Sequence, residues 1–220
     1  MLWLVYFTVV AIHLFSILNE QILWVMISRV LLMPCLLVII YFHSKFSSKA
    51  DKILFLAILF GWFGDILLMY DSFISFSLGF SSFFIGHMAY IYLFSKDVSS
   101  KRQTHYIMER PYLILPFIAI IIFSITSLWG TTHPYPGLPI YLYAFTIALM
   151  SVFALNRKHA ASQSSCIIVV IGTLLFIISD YLLSYKLFTA NFPYDSVIVM
   201  ITYTCAQGLI VYGFLRNKAI

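Results

Sequence analysis

Apolar residues run along almost the whole chain in long continuous stretches that are separated by short polar connections. A helix that crosses roughly 30 Å of hydrocarbon needs about 20 largely apolar residues. Because the stretches are continuous rather than alternating, and because lipid cannot hydrogen-bond to the backbone, we predict an all-α bundle of eight transmembrane helices. The predicted spans are residues 2–18, 22–42, 53–70, 73–95, 111–128, 138–155, 166–187 and 196–215.

The composition supports this interpretation of the pattern. Hydrophobic residues make up 62% of the chain and charged residues 10%, and the mean hydropathy is +0.99, far outside the range of soluble domains. We find no linker or low-complexity tract, so residues 1–220 are predicted to form a single transmembrane domain. For a bacterial protein we expect the cytoplasmic membrane.

The cations test the predicted topology, because short cytoplasmic loops carry most of the Lys and Arg of a membrane protein. With both termini cytoplasmic, only Lys186 falls in a loop on the opposite side, and Arg29 falls inside the second span. The remaining cations lie in the even-numbered loops and the C-terminal tail: Lys45, Lys49, Lys52, Lys96, Lys101, Arg102, Arg110, Arg157, Lys158, Arg216 and Lys218.

The sequence offers no support for several other kinds of chemistry. The net charge of +5 is explained by topology, and no basic segment interleaved with aromatic residues indicates a nucleic-acid partner. Cys35, Cys166 and Cys205 match no metal or redox spacing, and there is no paired-histidine metal motif or Gly-rich phosphate loop. We therefore expect no cofactor and no metal, and we expect the cysteines to pack in the spans.

Two carboxylates interrupt the apolar spans. Asp65 lies in "GWFGDILLMYD" and Asp180 in "SDYLLSY", and each is followed by Leu-Leu at +2 and +3 and Tyr at +5. An acidic residue inside a span is costly, usually faces the protein interior or water, and is a candidate functional group. Four spans separate the two, so their helices run in the same direction, and the shared motif predicts a parallel repeat of two four-span halves.

Other polar residues of the spans share a layer with these carboxylates. Counted from the basic ends, most of them lie about 12–14 residues in, or about 20 Å at 1.5 Å per residue, and His87 and Gln207 lie about one turn lower. Such convergence predicts a site in the core of the bundle. The members of the main layer are His13, Arg29, Asp65, Tyr143, Asp180 and Tyr203.

Each of these residues also has a purely structural interpretation. Either Asp could form a helix-pinning ion pair with Arg29, and Gly61 and Gly64 could serve helix packing alone. The pairs His87 and Tyr90, and Tyr203 and Gln207, have the i, i+3 and i, i+4 spacings that place two side chains on one helix face, where hydrogen bonding between helices would explain them. His13 stands alone and is predicted to be structural.

Five motifs in order resemble the lysoplasmalogenase family of eight-span membrane proteins. The resemblance covers residues from about 55 to the C-terminus. It rests on Gly-Asp in the third span, His-x-x-Tyr in the fourth, Pro-x-x-x-Tyr in the sixth, Ser-Asp in the seventh and Tyr-x-x-x-Gln in the eighth. The stretches that carry it are "FGDILLMY", "GHMAYIYLF", "GLPIYLYAFTIALM", "TLLFIISDYLLSYKLF" and "ITYTCAQGLIVYGFL".

This chain departs from the family in the second span. Many members have Lys-Pro where this chain has Met33-Pro34, so the cation within the membrane is missing at that position. Arg29 lies four residues earlier, one helical turn away, and would present a positive charge on the same face.

The resemblance implies hydrolysis of the alkenyl ether bond of a lysoplasmalogen, a lysophospholipid that resides among the membrane lipids. Such a reaction needs an acid, a base and stabilisation of a cation. Two nearby carboxylates in a low dielectric do not both ionise easily, so one would keep a proton for the ether and the other would steady the cation and activate water. Asp65 and Asp180 are the predicted catalytic residues.

The remaining layer residues are predicted to bind the substrate. They are expected to orient water or hold the headgroup, with Arg29 as the phosphate partner, and comprise Arg29, His87, Tyr90, Tyr143, Tyr203 and Gln207. A proton-coupled transporter of small amphiphiles would use the same two acids as a relay. A lipid-binding structural protein is the third alternative, favoured if both acids are paired with Arg29 and no cavity lies between them.

Overall fold

A computed structural model describes residues 1–100, 106–128 and 137–217 of the chain. Lys101, Arg102 and Lys218, which the predicted topology uses, lie outside these residues. The described residues form α-helices and two short 3-10 helices, Pro111–Ile114 and Arg157–His159, and contain no strand. The α-helices are α1 (Leu2–Leu18), α2 (Ile22–Ser44), α3 (Lys49–Leu67), α4 (Phe73–Ser100), α5 (Tyr106–Glu109), α6 (Leu115–Leu128), α7 (Gly137–Asn156), α8 (Gln163–Phe188) and α9 (Asp195–Arg216).

Each of the eight predicted spans coincides with one of the long helices. Among the described residues, α2, α4, α8 and α9, together with the segment Pro111–Leu128, are long and apolar enough to cross a bilayer. These five candidate spans make the chain a helical membrane protein. α1 is slightly shorter, with 17 residues, and α3 carries Asp51, Asp65 and two lysines. The count of eight spans and the side on which the termini lie stay predictions.

Local signals in the sequence set several helix ends. At the start of α3, the Ser48 hydroxyl accepts a hydrogen bond from the Asp51 backbone N–H at 3.2 Å, while the Ser48 N–H donates to the Asp51 carboxylate at 2.9 Å. This reciprocal capping box satisfies two donors that a helix start leaves open. At the start of α8, the Ser162 hydroxyl accepts a hydrogen bond from the Ser165 N–H at 3.3 Å. α2 ends where Lys45 adopts a left-handed conformation, with φ of 47°.

The chain divides into two compact units, Met1–Leu93 and Phe94–Ile220. The division falls within α4, just before the long connection that was predicted to separate two halves. The prediction of a single membrane domain and that of a parallel repeat both stay predictions, and each unit is described by itself.

Close helix contacts through glycine organise the first unit. A Cβ added to Gly64 of α3 would lie 2.6 Å from the Phe83 ring of α4, and one added to Gly86 would lie 3.0 Å from the Ala57 carbonyl oxygen. The Ser82 hydroxyl donates a hydrogen bond of 2.6 Å to the Phe60 carbonyl across the same interface. The glycine beside Asp65 therefore serves helix packing, as the structural interpretation predicted.

The second unit contains an equally close pair of helices, α8 and α9. A Cβ on Gly172 would lie 2.8 Å from Ile210 and 3.0 Å from the Ala206 carbonyl oxygen. Ser179, directly before Asp180, donates a hydrogen bond of 3.1 Å to the Val199 carbonyl. α7 packs on α8, and α6 packs on α7. Asp180 is thus held on a helix whose position is fixed from two sides.

Arg157 differs from its predicted role as a loop cation. Its side chain is fully buried, where its Nε lies 2.8 Å from an Asp97 carboxylate oxygen. The guanidinium carbon lies 5.3 Å from the centroids of both the Phe94 and the Phe214 rings, within cation–π range. The charge still lies at the predicted basic ends of the helices, but it binds α4 to α9 instead of facing solvent.

Candidate functional site

Asp180 and Tyr143 form the shortest polar contact of the candidate site. The Tyr143 hydroxyl on α7 donates a hydrogen bond of 2.6 Å to Asp180 Oδ2 on α8. Both residues are buried, with relative exposures of 6% and 8%. The distance lies within the usual range of an O–H···O hydrogen bond. The prediction that these two residues share a layer is confirmed within the second unit.

A cleft lined by residues of α6, α7 and α8 adjoins this pair. It has an empty volume of about 430 Å³, including its mouth. Its polar lining consists of Ser124, Tyr143, Asp180, Tyr181 and Ser184. Its apolar lining consists of Ile120, Ile121, Leu128, Ala144, Ile147, Ala148 and Ile177. Sequence reasoning missed the contribution of α6, whose aliphatic residues are indistinguishable in the sequence from those that face lipid.

Tyr203 and Gln207 lie one turn apart on α9 and are both buried, with relative exposures of 5% and 1%. Their predicted placement on one helix face is therefore confirmed. The Tyr203 ring meets the Phe176 ring of α8 edge-on, with 5.6 Å between the centroids. Neither Tyr203 nor Gln207 lines the cleft beside Asp180.

Asp65 lies beside a cation in the first unit. Arg29 Nη2 lies 3.7 Å from Asp65 Oδ1, a distance that permits an ion pair but exceeds that of a hydrogen bond. The Asp65 side chain is 3% exposed and that of Arg29 is 23% exposed. Among the described residues, the buried Arg29 Nε has no hydrogen-bond partner. The predicted structural ion pair is present, and Arg29 keeps donor capacity beyond it.

The sequence suggested that His13 has no polar partner, but in the structure it contacts a serine on the neighbouring helix. Its Nδ1 lies 2.8 Å from the hydroxyl of Ser28 on α2, and that hydroxyl donates to the Trp24 carbonyl at 2.5 Å. The hydroxyl proton is thus committed, so the Nδ1–H donates to Ser28. The contact joins α1 to α2 one residue before Arg29. A serine within a helix gives no signal of such a partner in the sequence.

The other predicted residues of the first unit are also buried. His87 and Tyr90 on α4 have relative exposures of 2% and 1%, as expected for one interior helix face. Met33 is fully buried. The Trp62 indole donates a hydrogen bond of 2.8 Å to the Val30 carbonyl, so α3 is tied to α2 through this side chain.

The two acidic residues therefore have different surroundings. Asp65 lies beside the guanidinium of Arg29, at 3.7 Å. Asp180 lies beside a neutral phenol on the wall of a largely apolar cleft. A pair of carboxyl groups in unlike environments is the arrangement that acid–base chemistry uses. That the two carboxyls share one cavity stays a prediction.

The part of the chain that the structure describes contains no group of three His, Cys, Asp or Glu side chains that could hold a metal ion.

Comparison with known proteins gives one match. The model of the YhhN family matches residues 24–214, which include all eight predicted site residues. Neither a curated protein nor a solved structure matches the chain.

Proposed function

Because the chain belongs to the YhhN family, the lysoplasmalogenase family, we propose that it hydrolyses the alkenyl ether bond of lysoplasmalogens within the membrane. The products would be a fatty aldehyde and glycerophosphoethanolamine or glycerophosphocholine. The substrate is a single-chain lysophospholipid, which can reach a site between helices directly from the bilayer.

The proposed chemistry is acid–base catalysis by carboxyl groups. One carboxyl group protonates the vinyl carbon distal to oxygen, and the ether oxygen stabilises the resulting oxocarbenium ion. The other carboxylate stabilises this cation and removes a proton from the water that adds to it. The resulting hemiacetal then separates into aldehyde and alcohol. Asp65 and Asp180 are the proposed acid–base pair.

The observation that carries this proposal is the position of Asp180. Its carboxyl group is buried, accepts a hydrogen bond of 2.6 Å from the Tyr143 hydroxyl, and lies on the wall of a cleft with mainly aliphatic lining. An apolar pocket with a few convergent polar groups is typical of a ligand site. A single-chain lipid offers the same combination of a long apolar part and one reactive polar bond.

The remaining predicted residues would bind the polar part of the substrate or its water. Arg29 supports the phosphate assignment because its guanidinium keeps N–H donors beyond the 3.7 Å ion pair, and guanidinium groups bind phosphate well. His87, Tyr90, Tyr203 and Gln207 are buried hydrogen-bonding side chains that would orient the headgroup or water. In a bacterial cell the enzyme would act in the cytoplasmic membrane.

Release of aldehyde from purified protein tests the proposal. We expect wild-type protein in detergent or nanodiscs to release fatty aldehyde from lysoplasmenyl lipid without an added cofactor. Asp65→Asn and Asp180→Asn should each lower kcat by at least about 100-fold, the lower end of what one acid or base contributes. The control is Asp71→Asn, because Asp71 is exposed in the turn after α3 and should keep wild-type activity. Full activity in either site variant removes that residue from the mechanism.

The Arg29–Asp65 ion pair favours the transporter as a second candidate, because paired charges within spans occur in proton relays. Proteoliposomes separate the two functions. Uptake of an intact amphiphile that depends on a pH gradient, with no aldehyde formed, supports transport. Aldehyde formation without a gradient supports hydrolysis.

A further inference from the structure

We propose that the cleft between α6, α7 and α8 binds the hydrocarbon chain of the substrate and that Asp180 is the proton donor. This inference rests on the proposed hydrolysis and assigns the two ends of the substrate to different groups.

The lining of the cleft changes from polar to apolar along the axes of the helices. Tyr143 and Asp180 mark the polar level. One to two turns along the helices, the lining consists of Ile147 and Ala148 on α7 and Ile177 on α8. From Tyr143 to Ala148 the helix rises about 7.5 Å. A ligand that extends along this direction would pass from a hydrogen-bonding region to an aliphatic one.

Charge identifies which part of the lipid fits here. No Lys or Arg lines the cleft, and its one carboxyl group is that of Asp180. A phosphate placed in this largely apolar cleft would lose its hydration and find no cation to offset that loss. A hydrocarbon chain meets no such penalty, and removal of its surface from polar surroundings is favourable.

The assignment of the chain decides the role of Asp180. In a vinyl ether, the carbon that accepts the proton is the one bonded to the hydrocarbon chain. With the chain in the aliphatic part of the cleft, this carbon lies at the polar level, beside Asp180. The Asp180 O–H bond breaks, a C–H bond forms from the π electrons, and the adjacent carbon becomes positive with support from the ether oxygen. Water adds to this carbon and gives a proton to Asp65. When the hemiacetal separates, Asp65 returns this proton to the leaving alcohol oxygen and Asp180 takes the hydroxyl proton, so both groups regain their starting states.

Tyr143 is a positioning residue in this scheme. Its hydroxyl holds Asp180 Oδ2 at 2.6 Å, which orients the carboxyl group and stabilises the carboxylate formed by proton transfer. Asp65, which lies 3.7 Å from the Arg29 guanidinium, serves as the base.

Larger side chains in the aliphatic part of the cleft test whether the hydrocarbon chain of the substrate binds there. Ala148→Leu should lower kcat/KM by about tenfold or more for a long alkenyl chain and by clearly less for a short one, since added methylenes in a filled pocket are discriminated on this scale. Ala144 is half-buried and lines the same cleft, so Ala144→Leu replaces Ala148→Leu if that variant does not fold. Ala119→Leu is the control, because Ala119 is exposed on α6 and does not line the cleft. Equal effects on both chain lengths overturn the assignment.

Photo-crosslinking separates this inference from the proposed hydrolysis. The probe is a saturated lysophospholipid with a diazirine near the end of its chain, which binds but cannot be hydrolysed. We expect crosslinks to peptides of α6, α7 and α8, weakened in Ala148→Leu and unchanged in Ala119→Leu. Crosslinks at the cleft with no aldehyde release from wild type retain the chain site and reject hydrolysis. Aldehyde release with crosslinks confined to other helices rejects the chain site.

Chemical rescue tests the role of Asp180. Acetate added to Asp180→Gly should restore activity in proportion to acetic acid, so that rescue increases as the pH falls towards the usual carboxyl pKa of about 4. In Asp65→Gly, rescue should follow the acetate anion and increase with pH. The reversed pair of dependences overturns the assignment, and so does rescue of Asp180→Gly by the anion alone.

Discussion

Tyr143 Oη lies 2.6 Å from Asp180 Oδ2, in a buried contact between α7 and α8 that adjoins an aliphatic cleft. The hydrogen bond gives the carboxyl group a fixed orientation. The cleft gives it access to a ligand. These two properties together distinguish Asp180 from a carboxylate that only holds helices together.

Tyr143→Phe should lower kcat by about 10- to 100-fold and leave KM within about twofold, because a positioning hydrogen bond strengthens as charge develops on Asp180. Loss of the bond should also cost about 1–3 kcal/mol of unfolding free energy, the usual penalty when a buried acceptor loses its donor. Aldehyde release and denaturant unfolding in detergent measure the two effects.

Tyr70→Phe is the control for this prediction, because Tyr70 is 61% exposed and should show neither effect. A Tyr143→Phe enzyme with reduced stability but unchanged kcat would show that the contact is structural alone.

The ion pair between Arg29 and Asp65 supports a second prediction, which separates packing from phosphate binding. Arg29→Gln leaves the buried Asp65 without its cation and should cost about 3 kcal/mol of stability. If Arg29 also binds phosphate, KM for lysoplasmenyl lipid should increase about tenfold or more, since a charge-assisted hydrogen bond contributes about 1.5–3 kcal/mol.

The double variant Arg29→Gln, Asp65→Asn distinguishes these two contributions. Removal of both charges should recover much of the lost stability, because no uncompensated buried charge remains. The increase in KM should persist. A double variant with wild-type KM limits Arg29 to the structural role.

The positions of the helices and the shared level of Tyr143 and Asp180 could be predicted from the sequence because a polar side chain in an apolar run is conspicuous. Asp180 and Tyr143 were placed at one level by counting residues at 1.5 Å each, and α7 and α8 pack together. The same counting could not show which helix faces enclose a cleft. Ile120 and Ile121 of α6 line it, whereas Ile122 is exposed, and all three are the same residue type.

Loop charges were the other source of error. The rule that cytoplasmic loops are basic correctly places Arg157 at a helix end, but it treats each cation as a solvated charge. A buried position requires partners from distant parts of the chain, here Asp97 and the rings of Phe94 and Phe214. Asp97 is 60 residues away in sequence, so no local pattern indicates the pair.

Arg157 therefore supports a prediction about stability. Arg157→Met should cost about 3–5 kcal/mol, because it leaves Asp97 without its partner and removes two cation–π contacts. Arg157→Lys should lose less, since it keeps the charge but not the planar fork that reaches both Asp97 and Ser165. Thermal unfolding in detergent ranks the two variants.

Lys158, the next residue, provides the control, because it is only half-buried and Lys158→Met should be nearly neutral. Folded Arg157 variants should keep wild-type kcat, since the cluster is not part of the proposed site. Equal losses of stability in Arg157→Met and Lys158→Met would show that the buried ion pair contributes nothing.

The close approach of α8 and α9 supports the last prediction. Gly172→Ala adds a Cβ that would lie 2.8 Å from Ile210 and 3.0 Å from the backbone oxygen of Ala206. A backbone atom cannot rotate away, so the helices must separate, at a cost of about 1–3 kcal/mol for an overpacked interior. Because α8 also carries Asp180, we expect kcat to fall together with stability.

In Gly79→Ala, the control, the closest atom is the flexible end of the Leu68 side chain at 3.1 Å, and a helical alanine gains about 1 kcal/mol over glycine. That variant should be neutral or more stable, and a Gly172→Ala protein as stable as Gly79→Ala would contradict the tight packing of α8 on α9.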